Sequence, residues 1–532
     1  MVDEQEPALP THGALAARAL VRAMRWFARW WALSLLLAAG CSRCAGPRSA
    51  ASAEELLPRH PSGAVVTAPL SLVALHWAAL SDRAASLPGG EQLGEARKAV
   101  AAQLGFDPLT RDGLLSAGLD PDRGAAVALL PGTPRPGWIV AFPLTRPDQF
   151  LATVQRLLVE RAGFVPAAQQ PAAAKVFERG TSAERIAVAV VRGYGLIARG
   201  NDPGALVSAP PVEQSLAREA GLSAARQKLG AQDLLVWAPR GSDLPKRFTP
   251  RPLPGDVSLG LAGSAQGIVT RFYAQLPPTE SARAQAALPG GGAALVELLP
   301  GNAFLRARLG GAPERLLPFV PEQLGKARDA LPKDLFAGLK PGVALSVAVA
   351  RGANIGQAID YGFDWRRKSP FDTVELVALA EVVDEKLVLR NLEAVWKAMP
   401  QLGARVQRKG NDFQITYAGG RGARFGLHER LAYVLGGEIT PQDLRRTPRS
   451  TNTEVAALWE DPGAAVRIDF GKLSDALRAL PETAYGSGPQ AYVARSLVSQ
   501  VIEPLRPVRV TLTAQAGAGF LAGGAEVEIV AP

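Results

Sequence analysis

The chain has 532 residues, of which 47% are hydrophobic and 20% are charged. This composition allows large buried cores and excludes a disordered chain, and the length predicts about two to four domains. The formal net charge is +10, but the basic residues are scattered, and the longest purely basic run is Arg366-Arg367-Lys368. A phosphate-binding stripe is therefore not indicated, and we expect no nucleic acid among the partners.

The N-terminal segment has the pattern of a secretory signal peptide. Arg22, Arg25 and Arg29 precede an uncharged run, WWALSLLLAAG, which spans Trp30–Gly40 and ends in small residues. A helix that crosses a bilayer needs about 20 apolar residues, so this run is too short to span one. A positive flank, a short apolar middle and a small-residue end are typical of an export signal.

The end of this segment, LSLLLAAGC, resembles the lipobox of bacterial lipoproteins. In that family the cysteine thiol receives a diacylglyceryl group, and cleavage before the cysteine makes it the new N-terminus. The resemblance implies that Cys41 is lipidated, that residues 1–40 are the signal peptide, and that residues 41–58 form a flexible tether. The family usually has Leu, Val or Ile where this chain has Ala38. The alternative is an N-terminal anchor helix that is never cut.

Two further features bear on this N-terminus. Asp3, Glu4 and Glu6 are poor signal-peptide residues, whereas Met24 begins a compact signal, MRWFARWWALSLLLAAGC, so we expect translation to start at Met24. Ser42 follows the cysteine at a place where Asp often retains a lipoprotein in the inner membrane of diderm bacteria. The resemblance therefore implies a lipid anchor in the outer membrane, with the periplasmic or surface face left open.

Cysteine and histidine usage excludes several kinds of site. Cys41 and Cys44 are the only cysteines, so the body of the chain has no disulfide and no cysteine-based metal site. The histidines show no metal-ligand spacing; they are His12, His60, His76 and His428. We therefore expect no metal ion and no cofactor.

An internal repeat begins with a ten-residue match. Residues 91–100 read EQLGEARKAV and residues 322–331 read EQLGKARDAL. The same order continues through DQFLATVQRLLVERAG, answered by DEKLVLRNLEAVWKAMP, and VAVVRGYGLIARG, answered by FGLHERLAYVLGG. A glycine-bearing hairpin closes each copy. The pattern predicts a tandem duplication, with copies at 59–280 and 288–532.

Each copy alternates short β runs with helices of ten to sixteen residues. Asp148 and Asp384 are placed to cap the paired helices. Neighbouring strands are joined by tight turns, which favours antiparallel pairing. The predicted fold class is α+β, as two similar tandem domains, each an antiparallel sheet with helices packed on one face.

Motifs for catalysis and nucleotide binding are absent from the sequence. No GxxxxGK[ST] loop and no GxSxG elbow occurs. Asp120-Pro121-Asp122 faintly resembles the start of a calcium loop, but a turn before a strand is the better interpretation. Asp360 and Asp364 flank Gly362, which favours a loop over a carboxylate pair that does acid–base work. We therefore assign no catalytic, cofactor-binding or metal-binding residue.

The second copy carries an inserted loop at 352–370, where the first copy has only PGTPRPG. Aromatic and arginine side chains dominate interface hot spots, and long loops often carry function. The alternative is that the aromatic side chains fold back onto the sheet of the protein. The residues of the candidate partner-contact loop are Tyr361, Phe363, Trp365, Arg366, Arg367 and Lys368.

These features favour a membrane-tethered envelope lipoprotein that acts as a non-enzymatic binding or scaffold module. The expected partners are the membrane, reached through the N-terminal lipid, and either an envelope protein or an apolar or lipid ligand. A curved sheet lined by Leu, Val and Phe would favour the apolar ligand. The alternative is an exported hydrolase whose catalytic residues are dispersed along the chain.

Overall fold

The computed structural model describes residues 51–88, 90–131, 137–180, 184–242, 254–311, 334–356, 369–398, 405–416, 420–444 and 463–530. The chain is α+β with extensive antiparallel sheet, as its sequence predicts. It divides into two compact units, Met1–Asp82 with Gln92–Pro250 and Arg83–Glu91 with Arg251–Pro532. In the described part, every helix is too short or too polar to cross a membrane.

Up to residue 250 the strands form one continuous series of antiparallel ladders, in the order β8–β1–β2–β3–β7–β6–β5–β4. The strands are β1 Gly63–Pro69, β2 Gly124–Leu130, β3 Gly137–Pro143, β4 Val165–Pro166, β5 Lys175–Arg179, β6 Glu184–Val191, β7 Tyr194–Arg199 and β8 Leu234–Ala238. The helices are α1 Leu70–Ala85, α2 Glu91–Leu104, α3 Arg111–Ser116, α4 Pro147–Arg156, α5 Pro203–Leu206 and α6 Ala220–Leu229.

After residue 250 the ladders run β9–β10–β20–β19–β18–β11–β12–β13–β17–β16–β15–β14, again all antiparallel. The strands are β9 Val257–Ser264, β10 Gly267–Gln275, β11 Leu305–Leu309, β12 Leu339–Val349, β13 Val374–Val382, β14 Arg405–Lys409, β15 Asp412–Thr416, β16 Ala423–His428, β17 Leu431–Gly436, β18 Gly463–Asp469, β19 Val508–Gly517 and β20 Phe520–Ile529. The helices are α7 Pro278–Ala287, α8 Glu385–Ala398, α9 Phe470–Arg478 and α10 Pro489–Leu497.

The hairpin β9–β10 belongs to the second unit. The sequence places it at the end of the first copy, within 59–280. In the structure β10 pairs along its length with β20, from Gly267 opposite Glu528 to Gln275 opposite Phe520. This long ladder is why the first unit ends at Pro250.

The segment expected to be a tether, residues 41–58, joins the fold before its end. Ala53–Leu56 form a short 3-10 helix, and the side chains of Leu56 and Leu57 are fully buried. Pro58 forms a β-bridge with Ser215. Burial of two leucines fixes these residues, so any flexible tether lies before Ala53.

The two predicted helix caps have different outcomes. Asp384 accepts a hydrogen bond from the backbone N–H of Leu387 at 3.0 Å, so the predicted cap of α8 is confirmed. The prediction for Asp148 is wrong, because α4 begins at Pro147 and its N-cap residue is Arg146. Proline fixes the backbone angle of the first helical position, which moves the start of α4 one residue earlier.

Two hairpins have the same two-residue turn with left-handed backbone. Arg192 and Gly193 join β6 to β7 with φ of 51° and 77°, and Glu429 and Arg430 join β16 to β17 with φ of 45° and 61°. Such turns match the twist of the strands but favour glycine. The second hairpin therefore places a side chain where the first has none.

We expect Arg430→Gly to raise the free energy of unfolding by about 0.5–1 kcal/mol, because glycine removes the steric cost of the left-handed conformation. Gly193→Ala, at the equivalent turn position, should lower it by about 1 kcal/mol. Urea denaturation of both variants measures the two changes. If both substitutions change the free energy of unfolding in the same direction, the two turns do not have the equivalent left-handed geometry.

Candidate binding face

Cross-strand register assigns each side chain of the second unit to one of two sheet faces. Directly paired residues of antiparallel strands point to the same side, and successive residues alternate. On β13, Val377 and Leu379 are 0% and 1% exposed, whereas Leu376 and Ala378 between them are only half-buried. One face of this sheet is therefore covered and the other is partly open.

A hydrophobic cluster lies on the covered face. Its strand members are Ala344, Val377, Leu379, Tyr433, Leu435 and Ala465. Leu295, Val296 and Leu299, in or next to the 3-10 helix Ala293–Leu298, pack against them. This helix explains why one side of β12, β13 and β17 is buried.

Polar and charged side chains also point to the covered side. Arg308 is 1% exposed, and Arg306, Ser346 and Glu375 are buried as well. Arg308 donates hydrogen bonds to the carbonyl oxygens of Gly291 and Gly463, both at 3.3 Å. Burying a charged group costs free energy unless hydrogen bonds compensate the lost hydration. A sheet face with charged side chains is therefore seldom the buried one.

The opposite side, which we call the aliphatic face, carries almost only apolar residues from β9 to β17. Among the positions of this face that are paired in the described ladders, Thr270 is the one residue whose side chain has a polar atom. Its half-buried or exposed members on the hairpin strands are Val257, Leu259, Leu261, Ile268, Phe272, Leu521, Val527, Val510 and Leu512. Those on the central strands are Val466, Ile468, Leu305, Leu345, Val347, Leu376, Ala378 and Val434.

Exposure on the aliphatic face reaches 43% at Leu512 and 41% at Val434. These residues lie on β19 and β17, and on the strands between them Ala307, Val343 and Ala380 of the same face are buried. An antiparallel sheet with one covered face normally packs its apolar side inward and hydrates its polar side. Among the described residues the uniformly apolar side has the more exposed members, and an exposed apolar patch is a candidate binding surface.

One end of the aliphatic face is closed by α8. Phe413 and Phe425 project from β15 and β16 on this side, with ring centroids 5.0 Å apart and nearly parallel planes. Leu392, Val395 and Trp396 of α8 pack on them. The open part therefore begins at β17 and extends toward β9.

One row of the aliphatic face consists of small residues between two larger ones. Ala464, Ala514 and Gly523 are paired across β18, β19 and β20, and the row continues to Leu309 on one side and to Phe272 on the other. A Cβ placed on Gly523 would lie 2.7 Å from the ring of Phe272, so this phenylalanine lies over the glycine.

Charged side chains that line a cleft in the first unit are bonded within the protein. A cleft of about 350 Å³ in the first unit is lined by Gln169, Glu178, Arg185 and Asp202, among others. Glu178 pairs with Arg185 at 2.8 Å, and Asp202 caps α5. These contacts give its charged side chains a structural role.

A histidine–aspartate pair connects α1 to the start of β8. Nδ1 of His76 lies 2.9 Å from Oδ1 of the buried Asp233. A carboxylate bonded to one ring nitrogen fixes the orientation of an imidazole. Within the described ranges no group of three or more His, Cys, Asp or Glu is placed to hold a metal ion.

The Asp120-Pro121-Asp122 stretch forms a turn before β2. The carboxylate of Asp120 accepts a hydrogen bond from the backbone N–H of Asp122 at 3.0 Å. Asp122 is held by Arg111 through two hydrogen bonds, and this contact lowers the pKa of the Asp122 carboxyl group. Both acids thus serve the turn, as the sequence interpretation holds.

The other predicted site residues lie outside the described residues. These are Cys41, Asp360, Asp364 and the candidate partner-contact loop with Tyr361, Phe363, Trp365, Arg366, Arg367 and Lys368. The aliphatic face itself was missed at the sequence level. Its signal was the run VELVALAEV in β13, which is apolar at almost every position and predicts a strand with apolar side chains on both faces.

Comparison with known proteins adds little to these observations. No family model matches the chain, and no curated protein matches it. Among solved structures, crystal form III of TP0453 has 10% identity and a TM-score of 0.27, over 46% of this chain and 89% of that one. Crystal form IV has 12% identity and a TM-score of 0.25, over 45% and 86%. Likeness at this level carries no functional argument.

The openness of the aliphatic face can be tested by paired Val→Thr substitutions. Val377→Thr buries a hydroxyl group on the covered face and should lower the free energy of unfolding by about 1–3 kcal/mol. Val434→Thr, on the aliphatic face, should change it by no more than about 0.5 kcal/mol. Urea denaturation gives both values, and equal losses would mean that the face is covered.

Proposed function

We propose that the protein is a membrane-tethered lipoprotein of the bacterial envelope that acts as a non-enzymatic binding or scaffold module. The observation that carries this proposal is the aliphatic face. A broad, laterally continuous apolar surface has no role in catalysis by itself, but it provides buried area for a partner or an apolar ligand. The tether proposed at Cys41 would keep this surface close to a membrane.

The proposal includes a tandem duplication of one antiparallel unit with helices on one face. The ladder order β8–β1–β2–β3–β7–β6–β5–β4 becomes β18–β11–β12–β13–β17–β16–β15–β14 when ten is added to each strand number. The matched left-handed turns after β6 and β16 support the same conclusion. The second EQLG segment, 322–331, lies outside the described residues.

Internal bonding favours binding over an exported hydrolase. A hydrolase needs a nucleophile or base positioned beside a place for the substrate. The His76–Asp233 pair links two elements, and the acids of the first-unit cleft hold an arginine and a helix end. The cleft acids thus use for the fold the oxygen atoms that catalysis would require, whereas the contact with Asp233 engages Nδ1 of His76 and orients the ring.

Cys41→Ser should abolish lipidation and release the protein from membranes, because the thiol is the proposed attachment point. Cys44→Ser is the matched control, since it removes the neighbouring thiol and should leave the lipid in place. Incorporation of labelled fatty acid and membrane fractionation of both variants test this. If the Cys41→Ser protein is still lipidated, Cys41 is not the attachment point. The proposed cleavage between Gly40 and Cys41 is then rejected as well.

The loop around Trp365 is the proposed contact for a protein partner. Changing Trp365 to Ala and Arg366, Arg367 and Lys368 to Ser should leave the melting temperature unchanged and abolish co-purification of that partner, since aromatic and arginine side chains carry most interface energy. The control replaces Arg405 and Lys409, which are exposed on β14. Affinity purification with mass spectrometry compares the three proteins, and an unchanged partner set would contradict the assignment.

A further inference from the structure

We draw no further inference here: the strongest candidate, the exposed apolar stripe of Tyr492, Val493, Leu497 and Val501 on α10 and the turn that follows it, is a helix face on the surface of the second unit, and nothing in the structure shows what covers it.

Discussion

The strand register of the second unit determines which chemistry this protein presents to its surroundings. Residue parity places Ala307, Val466 and Leu512 in one row, and the intervening Arg308 and Arg467 on the other side. A slip of one residue in any ladder would exchange the two sets. The β12–β13 ladder shifts register between Leu339 and Val343, near one end, and pairs without interruption from Val343 to Val349.

The covered side shows what this arrangement costs. Arg308 is buried and bonded to two carbonyl oxygens, and Arg467 lies 3.6 Å from Glu528 and donates to Thr511 at 3.2 Å. Buried charges and hydrogen-bonded ions add little net stability compared with apolar packing. Stability must therefore come mainly from clusters such as the one around Leu295 and Val296, since much apolar area is left on the open side.

Exposed aliphatic surface promotes association between protein chains, and two features of the fold reduce this tendency. Open apolar sheets promote association, particularly at free edges. Here the hairpin β9–β10 covers the edge of β20, and α8 closes the opposite end of the face through Phe413 and Phe425. The exposed members Leu512 and Val434 lie on strands that are paired on both sides, so they offer only their side chains.

Local features of the fold were predictable from sequence, and non-local ones were not. The α+β class, the hairpin of β16–β17 and the cap at Asp384 follow from short-range patterns of turn residues and periodicity. The pairing of β10 with β20 joins residues far apart in the chain, and no local pattern encodes it. The cap at Asp148 failed because proline at position 147 overrode the preference of aspartate for the N-cap.

The candidate sites also divide into one that local sequence predicts and one that depends on non-local pairing. A loop rich in aromatic and basic residues is visible in any sequence, whereas the aliphatic face exists only once the ladders are known. Runs such as VELVALAEV give apolar residues at both parities, so the sequence cannot tell which side is covered. That depends on where Leu295 and Val296 pack, and their helix begins only after the left-handed Gly292.

The hairpin β9–β10 gives the proposed duplication a functional meaning. In chain order it closes the first copy, yet its Leu259, Leu261 and Phe272 extend the aliphatic face of the second unit. Phe272 then lies over Gly523 of the last hairpin. In the proposed duplication, this pairing joins the end of the first copy to the sheet of the second copy and covers the edge of β20, which would otherwise be open to strand addition.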